Sequence, residues 1–248
     1  MSRIVRFVLS FALVASGAAF PRGAVADAFV PKIWNSFFTV SFVDCRDGDL
    51  LTDSGASGGT WGADPIPEDG EASVKDVLGE KSLVFVTGNE NALAFTTSVN
   101  DEKSSKACLY RIKFPASEAY IQLPEKVKAA FTVACTNGVD NHFSGYDPST
   151  AQWVQLVLKS GSLTPQFDFW YDCATRYKVI NGVKCVSYYL KTPSGVYEPL
   201  YTEGSPGRYL FPLPEESTLA MPQVMFRGSG EIGDLNGVGQ KGGVLTIR

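Results

Sequence analysis

The sequence predicts an all-β fold, a two-sheet antiparallel β-sandwich, from its composition and from the spacing of its apolar runs. Charged residues are only 19% of the 248 residues, aromatic residues are 12%, and the chain contains 24 glycines and 14 prolines. Short runs rich in Val, Phe, Tyr and Thr recur along the chain, and clusters of Gly, Pro, Asn and Asp separate them. This pattern is typical of many short strands joined by turns and not of a helical bundle.

Nine runs with an alternating or continuous apolar pattern are the predicted strands. They are residues 38–43, 83–86, 92–96, 108–114, 131–135, 153–158, 167–172, 183–190 and 223–226. The clearest local prediction is a tight hairpin, because Asn181-Gly182 stands between two such runs and suits a turn that needs positive φ at both positions. Two stretches, 46–81 and 136–151, are polar or rich in glycine and are predicted to be long loops.

The N-terminus has the pattern of a secretory signal peptide. Two arginines precede an apolar segment at 7–20, and Ala-Val-Ala at 24–26 supplies the small residues that a signal peptidase recognises. A buried helix or a membrane anchor is the alternative, but the apolar segment is shorter than the roughly 20 residues that span a bilayer. We therefore expect a cleaved leader at 1–26 and one β-sandwich domain at 27–248, with no membrane span after cleavage.

The charge balance gives no indication of a nucleic-acid partner. The full chain has 22 basic and 26 acidic residues, and the leader contains three arginines and no acid. The mature chain therefore keeps 19 basic and 26 acidic residues, a net charge of −7. Nucleic-acid binding domains are usually basic. We expect an acidic protein that is secreted, periplasmic or on the cell surface.

Five cysteines remain after the leader, and an odd number leaves at least one free or paired with another chain. They are Cys45, Cys108, Cys135, Cys173 and Cys185, and their spacing matches no zinc site. Cys108 and Cys135 lie in two predicted strands, so a disulfide between them is one possibility. Buried free thiols are the other.

Three segments resemble, in order, the concanavalin A-like and laminin-G-like jelly rolls of secreted bacterial proteins. They are the Trp-led strand at 153–158, the aromatic and acidic strand FDFWYD at 167–172, and the late strand QVMFRGSGEIGDL at 223–235. The resemblance implies two packed antiparallel sheets with the first and last strands close together. It also implies binding of carbohydrate or protein as the common use of the fold.

A GxGxxG string at 228–233 falls within the last of these segments. A dinucleotide site needs a helix after the glycines, and the one asparagine and four glycines that follow disfavour a helix. We expect a glycine-rich turn there. Strand alternation also places Glu231 and Asp234 on opposite faces.

Residues 167–172 carry the main candidate ligand site. On a strand, Asp168, Trp170 and Asp172 share one face, and the three aromatic residues between them share the other. The aromatic set suits the core, so the two acids and the tryptophan are predicted to face solvent. An aromatic ring can stack on the apolar face of a sugar while acids bind its hydroxyls, so this face is a candidate for carbohydrate binding.

Four further residues are candidates for the same kind of site. Arg111 lies at an alternate, outward position of its predicted strand, and Trp153 does the same in another strand. His142, the only histidine, and Tyr146 lie in a predicted loop that could border a site.

Three functions remain open at this level. We expect an exported, non-catalytic binding or surface-interaction module, with a glycan or cell-surface polymer as the candidate partner. The first alternative is a polysaccharide-active glycoside hydrolase or lyase on the same scaffold that uses Asp168 and Asp172, since glycoside hydrolysis is carried out by a pair of carboxyl groups. The second alternative is a purely structural envelope protein.

No cofactor is expected, and calcium at loop acids is the alternative. Asp47, Asp49 and Asp140 offer the oxygen ligands that calcium prefers. The Asp-Gly-Asp sequence at 47–49 is equally ordinary in a turn.

Overall fold

The computed structural model describes residues 28–31, 34–48, 55–57, 59–62, 71–77, 80–86, 93–97, 105–113, 119–122, 130–136, 140–161, 163–217 and 223–239. Within these ranges the chain forms strands and turns, with no α-helix. The strands are β1 (Asn35–Ser41), β2 (Gly55–Ser57), β3 (Gly59–Gly62), β4 (Glu71–Val77), β5 (Glu80–Val86), β6 (Leu93–Thr97), β7 (Lys106–Lys113), β8 (Ala119–Gln122), β9 (Ala130–Thr136), β10 (Asp140–Asp147), β11 (Gln152–Val157), β12 (Trp170–Ile180), β13 (Val183–Lys191), β14 (Tyr197–Pro199), β15 (Tyr201–Thr202), β16 (Phe211–Pro212) and β17 (Gln223–Gly239).

The strands form two antiparallel sheets, which confirms the predicted β-sandwich. Sheet I has the central order β17–β7–β12–β13. The pairs β5–β4 and β1–β2 extend it beyond β17, and β14 and β16 lie along the far edge of β13. Sheet II has the order β3–β6–β17–β8–β9–β10–β11–β15.

The long strand β17 belongs to both sheets. Its residues 223–228 pair with β6 and β8 in sheet II, and residues 229–239 pair with β5, β7 and β1 in sheet I. The GxGxxG string at 228–233 therefore lies inside a strand, where the chain passes from one sheet to the other, and the predicted turn is wrong. The pairing of β1 with β17 confirms that the first and last strands are neighbours.

The main hydrophobic core lies between the two sheets. Strands of both sheets contribute buried side chains to it, such as Ile112 and Tyr188 from sheet I and Phe143 and Leu156 from sheet II. Tyr188 crosses the core and donates a hydrogen bond from its hydroxyl to the carbonyl oxygen of Tyr146 at 2.7 Å. This contact joins β13 of one sheet to β10 of the other.

Part of the outer face of sheet I is covered by the N-terminal segment. Phe29 exchanges two backbone hydrogen bonds with Tyr197, at 3.1 and 3.0 Å. The ring of Phe29 stacks on those of Trp34 and Tyr197, with centroids 5.1 and 5.2 Å apart. The guanidinium of Arg176 lies over Phe29 and Trp34 at 5.1 and 4.9 Å. Only the remaining part of this face is open to a ligand.

Most predicted strands are confirmed, and so is the hairpin. Asn181 and Gly182 have φ of 50° and 81°, and Ile180 pairs with Val183 across the turn. The prediction of two long loops is wrong, because both stretches contain strands. The stretch 46–81 contains β2, β3 and β4, and the stretch 136–151 contains β10.

The predictions for the chain's N-terminus remain predictions. Residues 1–27 lie outside the described residues, and so does the predicted cleavage position after 26. Within the part of the chain that is described, no helix is long and apolar enough to cross a membrane.

Candidate functional site

The open part of the outer face of sheet I brings together three of the predicted ligand residues. On β12, Trp170 pairs with Lys113 of β7, and Asp172 pairs with Arg111. The alternation that was predicted for β12 holds from this point, because Tyr171 packs against the core while its two neighbours face outward. Trp170, Asp172 and Arg111 therefore form one surface.

The predicted strand does not extend back to residue 167. Asp168 adopts φ of 60° in a turn, and β12 begins only at Trp170. This left-handed residue breaks the alternation, so Phe169 is 54% exposed instead of buried. The Asp168 side chain is 83% exposed and lies 3.6 Å from the ammonium of Lys113. The prediction that Phe169 points into the core is wrong.

A β-bulge in β17 adds a residue that strand alternation could not predict. The register shifts between Ile232, which pairs with Ile112, and Leu235, which pairs with Tyr110. Ile232 and Leu235 both lie in the core, and only Arg111 separates the two residues with which they pair. Gly233 and Asp234 therefore both lie opposite Arg111, which faces outward. Asp234 therefore lies on the same face as Glu231, and the prediction of opposite faces is wrong.

This face contains a cleft with a volume of about 700 Å³, within the usual range for small-ligand sites. The residues that line it are Val43, Glu80, Lys81, Leu109, Tyr110, Arg111, Asp172, Tyr197, Gly233, Asp234 and Asn236. They combine hydrogen-bond donors and acceptors with a smaller apolar surface. Three of the acidic and basic members come from β5 and from the bulge, where no sequence pattern indicated a site.

The charged side chains of the cleft are held by defined partners. The Arg111 guanidinium forms an ion pair with Glu80 at 2.5 Å and lies over the Trp170 ring, 4.8 Å from its centroid. Asp172 pairs with Lys191 of β13 at 3.0 Å. These contacts fix the direction of Arg111 and Asp172 before any ligand binds.

Beside the cleft, Glu231 is the centre of a small charged network. It pairs with Lys113 at 2.9 Å and with Lys75 at 3.9 Å, and the Ser82 hydroxyl donates to it at 3.1 Å. Partial burial lowers the pKa of Lys113, but the hydrogen bond and charge of Glu231, together with Asp168, raise it, and the net effect is upward. Lys113 therefore stays charged and neutralises Glu231.

The other predicted ligand residues lie on the opposite side of the sandwich. On sheet II, Tyr146 pairs with Trp153, and their rings meet edge to face with centroids 5.9 Å apart. Because Phe143 of β10 points into the core, His142 and Tyr146 at odd spacing from it face outward. Trp153 is 47% exposed. The structure thus divides the predicted set between two faces.

Of the acids considered for calcium, only Asp47 has a described side chain, and it contacts the backbone of β4. Asp47 accepts a hydrogen bond from the backbone N–H of Asp76 at 3.0 Å, and Gly48 follows with φ of 82°. Asp49 and the side chain of Asp140 lie outside the described part of the chain. Among the described residues, no three His, Cys, Asp or Glu side chains are grouped as metal ligands would be.

The predicted disulfide is not formed. Cys108 is a free, buried thiol in β7 of sheet I, whereas the backbone of Cys135 lies in β9 of sheet II. Burial raises the pKa of the Cys108 thiol well above its ordinary value. Cys173 and Cys185 are also free and buried, as expected for thiols that act as small apolar side chains, and Cys45 is buried as well.

Comparison with known proteins gives structural similarity only. No protein-family model and no curated protein matches the chain. The receptor binding domain of botulinum neurotoxin D aligns with 83% of this chain at 8% identity and a TM-score of 0.44, and the chain spans about half (49%) of that structure.

Two other similar structures are matched over most of their length. The catalytic domain of the glycoside hydrolase family 131 protein from Coprinopsis cinerea aligns with 87% of this chain and 96% of its own, at 13% identity and a TM-score of 0.39. The exoplasmic/lumenal domain of VIP36 in its Ca²⁺/Man-bound form aligns with 72% of this chain and 85% of its own, at 12% identity and a TM-score of 0.35. At these values none of them bears on the function of this chain.

Proposed function

We propose that this protein is an exported binding module that holds a carbohydrate in the cleft on the outer face of sheet I. The observation that carries the proposal is the cleft itself, about 700 Å³ in volume and lined by Arg111, Asp172, Asp234 and Asn236. A guanidinium donates hydrogen bonds, carboxylates accept them, and an amide does both. Such a mixed lining matches sugar hydroxyls, which are donors and acceptors at once.

The apolar part of the cleft fits the other half of sugar recognition. Leu109 and Tyr197 contribute apolar surface next to the polar groups, and Phe29 supports Tyr197 from behind by stacking. The C–H groups of a sugar ring can pack on such a surface. The Trp170 ring lies under the Arg111 guanidinium, and we assign it the role of positioning this donor at the edge of the cleft.

Binding is better supported than hydrolysis. The hydrolase alternative needs Asp168 and Asp172 to act together on one bond. Asp172 lines the cleft, but Asp168 does not, and it lies in the turn before β12. Asp172 is also engaged in an ion pair with Lys191 at 3.0 Å.

The test compares two isosteric variants that each remove one negative charge. Glycan-array screening of the purified protein finds a bound glycan, and isothermal titration calorimetry then measures its affinity. We expect a micromolar to millimolar dissociation constant, because an open sheet face buries little of a sugar. Asp172→Asn is expected to weaken binding by about tenfold, since a hydrogen bond to a charged group is lost.

Asp168→Asn is the matched control, four residues away and outside the cleft. Asparagine tolerates the left-handed φ at this position, so the fold is kept. Its affinity is expected to stay within about twofold of the wild type. Equal losses in both variants, or a loss in Asp168→Asn alone, would contradict the assignment of the site.

A reducing-end assay on mixed polysaccharides tests the catalytic alternative directly. We expect no release. Release that Asp168→Asn abolishes would show a hydrolase, and the proposed binding function would then be wrong. Retention of no glycan at millimolar concentrations would favour the structural envelope protein.

A further inference from the structure

We propose that the cleft selects uncharged glycans over glycans of uronic acids, and that Asp234 is the residue that sets this specificity. The inference rests on the proposed carbohydrate binding and names the class of carbohydrate. It follows from the way in which the charges of the cleft are partnered.

The two basic residues that line the cleft are already engaged. Arg111 is paired with Glu80 at 2.5 Å. The Lys81 ammonium donates hydrogen bonds to two backbone carbonyl oxygens, those of Val43 at 2.8 Å and Cys45 at 2.5 Å. A ligand carboxylate would therefore have to share either cation with the partners that already hold it.

The cations next to the cleft are engaged in the same way. Lys191 is paired with Asp172 at 3.0 Å, and Lys113 is paired with Glu231 at 2.9 Å. Each positive charge around the cleft therefore has a carboxylate or carbonyl partner within the described structure. The site does not present the unpaired arginine or lysine with which proteins usually bind a carboxylate.

Asp234 differs from the other acids of the cleft. It is exposed at the bulge in β17, and its carboxylate makes no hydrogen bond or ion pair with any residue that the structure describes. The bulge that presents it is tightly packed, since a Cβ added at Gly233 would lie 3.1 Å from Cβ of Arg111. Asp234 thus presents an exposed carboxylate from a closely packed stretch of backbone, and no described cation is paired with it.

Two consequences follow for a ligand. A neutral sugar can donate hydroxyl hydrogen bonds to Asp234, and these are strong because the acceptor is charged. A uronic acid brings a second carboxylate towards Asp234 and finds no unpaired cation. Since both groups are near solvent, we expect a preference of about fivefold for the uncharged sugar, larger at low salt.

Matched pairs of ligands isolate the effect of the carboxylate. The probes are cello-oligosaccharides and malto-oligosaccharides with and without oxidation of C6 to a carboxylate, and polygalacturonate with and without reduction of its carboxyl groups. Affinity electrophoresis and calorimetry measure binding of both members of each pair at low and at physiological salt. The preference is the ratio of the two dissociation constants.

Two isosteric variants separate the local charge from the net charge of the protein. Asp234→Asn removes the one acidic charge of the cleft lining that has no described ion-pair partner. Glu203→Gln removes one charge from an exposed turn after β15 in sheet II, away from the cleft. We expect Asp234→Asn to bring the preference close to one and Glu203→Gln to leave it within twofold of the wild type.

The possible outcomes are distinct. Equal or tighter binding of the charged member by the wild type would overturn the inference while leaving carbohydrate binding intact. A preference that Asp234→Asn leaves unchanged, or that Glu203→Gln reduces as much, would overturn the role of Asp234. Binding of neither member of any pair, together with an empty glycan array, would overturn the proposed function itself.

Discussion

The contact between Gly145 and Tyr188 holds the two sheets together at one point, and Gly145→Ala tests it. A Cβ at residue 145 would lie 2.5 and 2.6 Å from two ring carbons of Tyr188 and 2.8 Å from a methyl carbon of Leu156. Real Cβ atoms do not approach side chains so closely, so the ring or a sheet must move. The ring has little freedom, because it is fully buried and its hydroxyl is bound to the Tyr146 carbonyl.

The size of the effect follows from the cost of overpacking. Adding a methyl group to a filled core costs about 1–3 kcal/mol of the free energy of unfolding, and two clashing partners place this variant near 3 kcal/mol. For a protein of this size, that loss lowers Tm by about 6–12 °C. Chemical and thermal denaturation followed by circular dichroism measure both quantities.

The control is Gly207→Ala, in an exposed turn where an added Cβ meets no atom within 4 Å. It is expected to change the free energy of unfolding by less than about 0.5 kcal/mol. If Gly145→Ala lowered the free energy of unfolding by no more than the control does, β10 and β13 would not face each other as described.

Three further predictions concern other parts of the fold. Phe29→Ala removes the ring that stacks on Tyr197, and we expect a loss of about 3 kcal/mol in urea unfolding together with weaker glycan binding; an unchanged value would mean that the N-terminal segment does not cover sheet I. Gly182→Ala forces a side chain into φ of 81° and is expected to cost about 1 kcal/mol in the same assay, and no loss would contradict the hairpin geometry. Burial raises the pKa of the Cys185 thiol from 9.0 to about 11. The protonated thiol therefore stabilises the folded state fully below pH 9, and this contribution is lost as pH rises from 9 through 11. The free energy of unfolding should fall over this range, and it should fall less in Cys185→Ala; an equal fall would exclude this thiol as a cause.

The hairpin could be predicted because its signal is local. Asn181 and Gly182 are among the few residues that adopt positive φ readily, and the flanking runs alternate in the expected way. The same reasoning failed at Asp168. Nothing in the neighbouring residues shows that it takes a left-handed conformation, and this one dihedral angle places Phe169 outside.

Strand β10 was predicted as a loop for a reason that lies in the other sheet. Its inward positions include Gly145 and Asp147, which are poor strand signals in sequence. The space above Gly145 is filled by Tyr188 from sheet I, and the Asp147 carboxylate is paired with Arg208. Both partners are distant in sequence, so the strand becomes recognisable only when the sheets are packed.

The candidate site could be predicted in part. Arg111 and Asp172 were identified because they occupy outward positions on strands that proved to be neighbours. Asp234 was not, because a bulge shifts strand alternation by one residue and the bulge depends on its pairing with β7. Glu80 was hidden in a stretch predicted as a loop.

The most direct test of carbohydrate binding in the cleft is a crystal structure of the protein with a bound oligosaccharide from the glycan screen. We predict a sugar ring in the cleft on sheet I, with hydroxyls within hydrogen-bond distance of Arg111, Asp172 and Asp234. A sugar on the outer face of sheet II, stacked on Trp153 with the cleft unoccupied, would contradict it.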